Sequence, residues 1–578
     1  MFVLLMLLGR ARGLSWKWPA SCLHSNGHRG AHRIAAHQAP GRYRNPLETE
    51  GHLLPLTSAR TWDLVVVGTG FGGSMVALAA VRAGLRVLLI ERGRWVDRDD
   101  SASDPRRILL DRKYQSASPF ETPRFGFGRT RTFPDEVVGG KSVFYGGASF
   151  RLREGDFQLR ERYPDLCSDL VDWPINYADL APFYDQAERL LGVAGVAGGD
   201  PNEPPRTGPY AAAPPPFSAP ARCVADAATA LGLRPFPIPL AINFASRDGR
   251  QSCAQCLTCD LFPCKISAKN DLSVSVLPAM IAAGATVLPN TVAVQLRRNG
   301  SKISAVECVD TVSRERFSVT CRVCVVSAGA IPSAALLLAS GLGAVEPNGS
   351  WVGRCLMRHC SGVVIGLFGA GTNPEQVFHK QVALTDFYFG REQKSPAGPW
   401  GMIQGLQAPP PEYLVAEGGF PIGALAAMTL DRQVFLLCIG QDLPDPANRV
   451  EIDHGMTDKY GAPIARVFHR YSRHDRQVRS ALYRESAKVL RKAGALIRVS
   501  KPINTFSHAL GSCRFGADPA KAALDPWCRF FGVPNLFVVD GSFMPSSGGV
   551  NPSLTIAANA LRVGEHLVTE WDRHRCSG

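Results

Sequence analysis

The stretch DLVVVGTGFGGSM, Asp63 to Met75, constrains the fold more than any other part of this 578-residue chain. The apolar run in TWDLVVVG is unbroken and ends at a glycine, the pattern of a strand buried on both faces of a parallel sheet. SMVALAAVRAG after it has helical spacing and a glycine stop at Gly84, and LRVLLIERG supplies a second buried strand. Strand, helix and strand in that order make a unit of the dinucleotide-binding type, with Gly68, Gly70 and Gly73 in the G-x-G-x-x-G positions. The first glycine allows a tight turn, the second lets backbone approach a pyrophosphate, and the third brings helix close to strand, while the helix N-terminus faces the phosphate charge. Glu91 ends the second strand about 20 residues on, where an acid binds ribose hydroxyls. The plain alternative is a glycine-rich turn without a ligand. The loop alone does not say whether the nucleotide is a nicotinamide or a flavin.

A chain of this length exceeds one compact core, so two structural units, interleaved along the sequence, are expected. Hydrophobic residues at 45% and charged residues at 20% mark a folded globular protein. The net charge of +14 raises nucleic acid or an anionic surface as partners. Much of that excess sits in the first stretch, where no Asp or Glu precedes Glu48, and no basic run is interleaved with aromatics. Nucleic-acid binding is therefore not expected. MFVLLMLL at the start is too short to span a bilayer and has no basic region before it, and no other segment is long and apolar enough to cross a membrane. Residues 1–60 read as a basic, disordered leader or an upstream start, with an organellar targeting segment as the alternative. A cytoplasmic location is the expectation. Sixteen cysteines in so long a chain do not make a disulfide scaffold, and most stand where a small buried hydrophobe would serve.

Proline-rich tracts, EPPRTGPYAAAPPPFSAP ending at Pro220 and APPPEY around Pro409, read as surface loops or linkers. PSAALLLASG, Pro332 to Gly341, reads as a short helix closed by glycine. DRQVRSALYRESAKVLRKAG, Asp475 to Gly494, reads as a longer amphipathic one. There are no internal repeats.

Two C-terminal fragments, SHALGSCRFG (Ser507 to Gly516) and NLFVVDGSFMPSSGGVNPSLTIAANALRVGEHL (Asn535 to Leu567), closely resemble the end of the glucose-methanol-choline family of FAD-dependent oxidoreductases. VVGGKSVFYGGASFRL from Val137 resembles that family's second flavin-contacting glycine segment, in the form of its sugar and gluconate dehydrogenase branch. VCVVSAGAIPSAALLLASGLG from Val323 is similar to its third strand and following helix, and DLPDPANRVEID from Asp442 to a segment of its substrate domain. The resemblance implies an α/β fold: a discontinuous Rossmann-type FAD-binding domain with an α+β substrate domain built on an antiparallel sheet. The nucleotide domain would take residues 61–156, 252–356 and 501–578; residues 157–251 would form a linker and cap region and 357–500 the substrate domain. It also implies that Gly68, Gly70, Phe71, Gly72, Gly73 and Glu91 hold the adenosine and pyrophosphate end, with the backbone of Ala293 at the adenine. Gly140, Ser142, Gly146 and Gly147 would line the flavin, Asp540 and Gly541 would meet the pyrophosphate and ribityl chain, and Asn551 and Pro552 would lie at the ring.

The implied reaction is oxidation of an alcohol or sugar CH–OH group to a carbonyl. Flavin supplies the hydride acceptor, and the protein must supply a group to take the hydroxyl proton. Histidine suits that task because its pKa lies near neutrality, and His508 matches the family's first catalytic position. Asn551 stands at the second, where the amide donates a hydrogen bond to the substrate oxygen as alkoxide character develops. Some relatives attach FAD through a histidine where this chain has Phe144, so the flavin is expected to be non-covalent. Tyr145 replaces a small polar residue or tryptophan of many relatives. Electrons would pass to O2, a quinone or an acceptor protein.

CAQCLTCDLFPCKISAK sets Cys253, Cys256, Cys259 and Cys264 in one loop-like stretch. Short spacings of this kind suit an iron–sulfur cluster, though the last gap is four residues and Pro263 precedes Cys264 instead of following it. A structural zinc needs four tetrahedral sulfurs, usually from two separated pairs. Reduced thiols, or a local disulfide closing the loop, are the leading reading, ahead of cluster and zinc. Some multisubunit sugar dehydrogenases of the family carry a cluster in a cysteine-rich insert ending in a similar Ala-Lys, here Ala268 and Lys269. Two rival functions remain: a non-redox lyase on the same fold, and an Fe–S-containing electron-transfer subunit.

Overall fold

The computed structural model describes residues 61–116, 118–123, 129–390 and 396–571; the leader lies outside them. Trp62–Val67 forms the opening strand and Val87–Ile90 the second, joined by the helix Phe71–Arg82. They pair in parallel, Leu64 opposite Val87, and the sheet extends from there with segments far away in the chain. Thr286–Leu288 flanks the second strand, Arg316–Val326 flanks the first, and Leu536–Val538 pairs with the far side of the latter, all in parallel. Val65, Val66 and Val323 to Val326 are completely buried, because helices cover both faces of such a sheet. The strand Arg316–Val326 is long enough to serve twice. Its first half pairs antiparallel with Lys302–Asp310, which in turn pairs with Thr291–Asn299.

A separate six-stranded antiparallel sheet runs in the order Ile497–Pro502, Gly362–Leu367, Gln433–Gly440, Gly401–Leu406, Val382–Leu384, Phe236–Pro237. The amphipathic helix Arg473–Lys492 covers it with Val478, Leu482, Val489 and Leu490. Ser472 caps this helix by accepting the Asp475 N–H at 3.0 Å, while the Asp475 carboxylate takes the Ser472 N–H in return. A four-stranded sheet joins Arg449–Thr457 and Pro463–Phe468 to Phe120–Pro123 and Arg129–Thr132. The α/β architecture expected from the sequence, with a parallel nucleotide-type sheet and an antiparallel one, is thus present.

The short helix near Pro332 runs Ala330–Ala339, with Gly341 left-handed just beyond it. The proline-rich tracts need correction, since the first ends inside the helix Ala219–Thr229. APPPEY is not a loop throughout, since a helix spans Pro411–Gly418. Proline is compatible with a first helical turn, where its missing N–H has no partner to lose.

The C-terminal helix Ser553–Thr569 crosses the helix Phe71–Arg82 closely. A Cβ on Gly564 would stand 2.9 Å from the Ala79 Cβ, so glycine permits this approach. At the N-terminal end of the last helix Ser553 Oγ donates to the Ala148 carbonyl at 3.3 Å, which sets Asn551 and Pro552 beside the segment that contains Gly146 and Gly147.

Candidate active site

The glycine turn is built as a cradle. Gly68 has φ of +100°, and a Cβ there would meet the Ser327 carbonyl oxygen at 2.2 Å. Cβ atoms on Gly72 and Gly73 would fall 2.4 Å from the Val539 oxygen and 2.0 Å from the Gly68 oxygen. Gly70 differs, because a Cβ there would find no heavy atom within 4 Å. Three of these glycines are therefore filled against by protein, and the fourth faces open space at a helix N-terminus, where an anion is favoured. Glu91 is buried and accepts from Thr69 Oγ1 at 2.6 Å, Thr69 N at 3.1 Å and Gly93 N at 3.1 Å. Burial pushes its pKa up against these bonds. Thr69 Oγ1 also accepts the Gly139 N–H at 2.8 Å, which lays the second glycine segment on the first; a Cβ on Gly140 would lie 3.1 Å from the Gly70 Cα. Thr291 donates its N–H to the Glu91 carbonyl at 2.9 Å, and Ala293 follows two residues along that strand.

Several residues named from the sequence turn out to hold one another. Asp540 accepts from Gly329 N at 2.9 Å, Ser333 Oγ at 2.5 Å and Ser542 N at 2.9 Å, so its carboxylate ties the third strand's helix to the C-terminal segment. Gly541 packs under Leu510. Ser142 donates to the Gly139 carbonyl at 2.6 Å and accepts from Leu272 N at 3.0 Å. Gly147 is left-handed, with its carbonyl taken by Ala241 N at 2.8 Å. Phe71 packs edge-on against Tyr145 at 5.4 Å. Phe144 turns away into a small satellite core with Tyr114, Val137, Val143 and Phe262.

His508 lies in an irregular segment, its Nδ1 3.0 Å from Nδ1 of His359. His359 Nε2 donates to the carbonyl oxygens of Ser547 and Gly548 at 3.0 and 2.9 Å, in the turn that leads to Asn551. Gly549 at that turn donates to the Tyr388 hydroxyl at 2.8 Å, and Tyr388 donates to Asp156 at 2.7 Å. Burial, with the neighbouring His359, Lys141 and Lys380, holds the His508 pKa well below the ordinary histidine value. Asn551 accepts from the Gln404 side-chain amide of the antiparallel sheet at 3.4 Å, which leaves the Asn551 NH2 free to donate. Gln404 is fully buried, and its own amide oxygen has no protein partner.

Cys253, Cys256, Cys259 and Cys264 lie in an irregular loop. All four are free thiols, and among the described residues no three His, Cys, Asp or Glu side chains converge to hold a metal ion. Burial pushes the Cys253 thiol up to about 11 and the Cys259 thiol up to about 12. A lysine ties this loop to the rest of the molecule. Buried Lys269 donates to the carbonyls of Tyr145, Cys259 and Phe262 at 2.8, 3.0 and 2.7 Å, so the loop is pinned on the second glycine segment. This brings Asp260 to Lys380 at 2.8 Å, directly over Gly146, where a Cβ would overlap both side chains.

His359, Gln404, Lys380, Lys141 and Asp260 escaped the sequence reading. His359 stands in LMRHCSG, where nothing local marks it; the only signal was indirect, the segment at Asp442 whose carboxylate takes its backbone N–H at 3.0 Å.

A glycine cradle with an open position, beside a paired imidazole and a free amide donor, defines a nucleotide-dependent oxidoreductase acting on CH–OH groups. The chain belongs to the GMC oxidoreductase family: models of that family match residues 65–361 and 444–560. It is similar to paromamine 6'-oxidase of Streptomyces fradiae, 35% identical over 543 residues that cover 89% of this chain and 93% of that protein. It is 29% identical to 2-methyl-1,2-propanediol dehydrogenase of Mycolicibacterium austroafricanum, over 88% of this chain and 96% of that one. The crystal structure of pyridoxine 4-oxidase from Mesorbium loti shares the fold, with a TM-score of 0.62 at 20% identity over 88% of this chain and 99% of that one. FAD is the cofactor of this enzyme, and the cradle fits it. Among the described residues no helix is long and apolar enough to cross a membrane.

Proposed function

We propose that this enzyme oxidises a hydroxyl group of a polyhydroxylated substrate, such as a sugar or amino sugar, with His508 as the base and Asn551 as the orienting donor. The observation that carries this reading is the His359 bridge, which ties the His508 segment to the turn ending at Asn551. Bound FAD supplies the acceptor for the hydride. His508 takes the hydroxyl proton, and the Asn551 NH2 donates to the same oxygen as negative charge grows on it. Gln404 holds Asn551 and offers its unpartnered amide oxygen to a further substrate hydroxyl. The Asp260–Lys380 pair over Gly146 adds polar groups near His508. The glycines and Glu91, with Phe71, Ser142, Ala293, Asp540, Gly541 and Pro552, form the nucleotide side, drawn from residues 61–156, 252–356 and 501–578. The flavin is held non-covalently, since Phe144 is packed in its own core.

The test is anaerobic flavin reduction, followed by absorbance, with paromamine, 2-methyl-1,2-propanediol, fructose and gluconate. At least one is expected to bleach the flavin. His508→Ala should retain FAD and slow that bleaching on the order of 10²- to 10⁴-fold. An unchanged rate in His508→Ala removes the base assignment.

A further inference from the structure

The contact between His359 and His508 determines where protons sit. Nε2 of His359 faces two carbonyl oxygens, Ser547 at 3.0 Å and Gly548 at 2.9 Å. Both can only accept, so this nitrogen carries the ring proton. Burial lowers the pKa of His359 and keeps the ring neutral. In a neutral imidazole the second nitrogen is an acceptor. The partner of that acceptor is Nδ1 of His508, 3.0 Å away, which must therefore donate. The lone pair of a neutral His508 is then on Nε2.

We infer that His359 is a positioning residue that fixes the tautomer of His508, so that Nε2 of His508 is the atom that receives the substrate's hydroxyl proton. The inference rests on the base role of His508 proposed above. In the step, the substrate O–H bond breaks and an Nε2–H bond forms; the carbinol C–H leaves as hydride, for which FAD is the acceptor, and a C=O bond remains. The Nδ1–H of His508 stays where it was, donated to His359.

The surroundings are built to hold His359 in this pose. Its backbone is left-handed, with φ of 60°, a region that non-glycine residues seldom occupy without support. The Asp442 carboxylate supplies that support by accepting the N–H of Arg358 at 2.8 Å and of His359 at 3.0 Å, and the Tyr471 hydroxyl donates to the His359 carbonyl at 2.8 Å. The charged groups around the pair are Lys141, Lys380 with its partner Asp260, Arg358, and Asp442 with His469 at 3.8 Å. The acceptor on His508 is a neutral imidazole instead of a carboxylate. A cation on His508 therefore has no anion in direct contact.

The direct measurement is ¹⁵N NMR of the FAD holoenzyme labelled at histidine, with His508→Ala and His359→Gln used for assignment. The protonated nitrogen is expected to be Nδ1 in His508 and Nε2 in His359 at neutral pH. A proton on Nε2 of His508 overturns the inference. Two substitutions add a kinetic readout. Gln at 359 has a carbonyl to accept from His508 and an NH2 to donate to Ser547 and Gly548, so His359→Gln should keep turnover within about tenfold and leave the tautomer in place. His359→Leu offers His508 no acceptor, and kcat should fall on the order of 10²-fold with KM little changed. Equal losses in the two variants, at equal FAD content, count against the inference; should the leucine variant fail to fold, the NMR result decides. If His508→Ala bleaches at the wild-type rate, the base role itself is wrong and with it the assignment of Nε2 as proton acceptor. If His508→Ala is slow but the tautomer is reversed, only the present inference falls.

Discussion

Replacing Gly70 and Gly73 one at a time with alanine separates a glycine that leaves room for a ligand from one that leaves room for the protein. Gly70 has φ of −70°, which alanine adopts without strain, and its added Cβ would find nothing within 4 Å. The apoprotein should tolerate Gly70→Ala within about 0.5 kcal/mol. FAD should not, because the methyl would occupy the space through which the pyrophosphate meets the helix N-terminus; a tenfold loss of affinity, about 1.4 kcal/mol, is the least expected. At Gly73 the added Cβ would stand 2.0 Å from the Gly68 carbonyl oxygen and 3.0 Å from the Val66 Cγ1, against 3.4 Å for ordinary contact. Gly68 cannot retreat, since its N–H is bonded to the Ile90 carbonyl at 2.8 Å and its own Cα faces the Ser327 carbonyl. Helix and strand must separate instead, an overpacking that costs about 1–3 kcal/mol or more. The assay is urea unfolding of the deflavinated protein together with FAD titration by flavin fluorescence. Wild-type FAD affinity in Gly70→Ala would refute the ligand reading of the loop, and a wild-type unfolding midpoint in Gly73→Ala would refute the packing argument.

The remaining expectations concern the base, the flavin linkage and the cysteine loop. A base is active when neutral, so the low pKa of His508 keeps kcat/KM flat as pH falls through the ordinary histidine value of about 6.5, with the decline only at lower pH; an acidic limb at or above that value contradicts it. Acid precipitation should release all the FAD into the supernatant, and yellow colour left in the pellet would mean that an attachment exists despite Phe144. Lys269→Met would leave three carbonyls, that of Phe262 fully buried, without their donor and should lower stability by about 2–4 kcal/mol, read from the urea midpoint; an unchanged midpoint would show that the lysine does not pin the loop.

The features legible in the sequence were those with a local signature. An unbroken apolar run, a glycine triplet and a helix repeat mark the opening unit because each depends on neighbours within a few residues, and the strand Trp62–Val67 and helix Phe71–Arg82 lie where those patterns put them. His508 and Asn551 were visible because each sits in an extended motif. The APPPEY tract was misread for a related reason: proline signals a break, yet it equally opens a helix, and composition does not distinguish the two. The cysteine spacing left thiols, cluster and zinc as readings, because what the thiols face depends on how the loop folds, and it is Lys269 that lays the loop on the second glycine segment.

The sequence by itself determined the nucleotide-binding fold, the class of cofactor and the two residues proposed for the chemistry. The tertiary structure decided how those residues are held. His359 meets His508 across 149 positions, Gln404 meets Asn551 across 147, and Lys380 meets Asp260 across 120. No periodicity records such contacts, because they are made by segments far apart in the chain that only the tertiary fold brings together. A hydrogen bond also has a direction, and which ring nitrogen of His508 keeps its proton depends on two carbonyls in the Ser547–Gly548 turn, which reach it through a histidine that no local pattern marks.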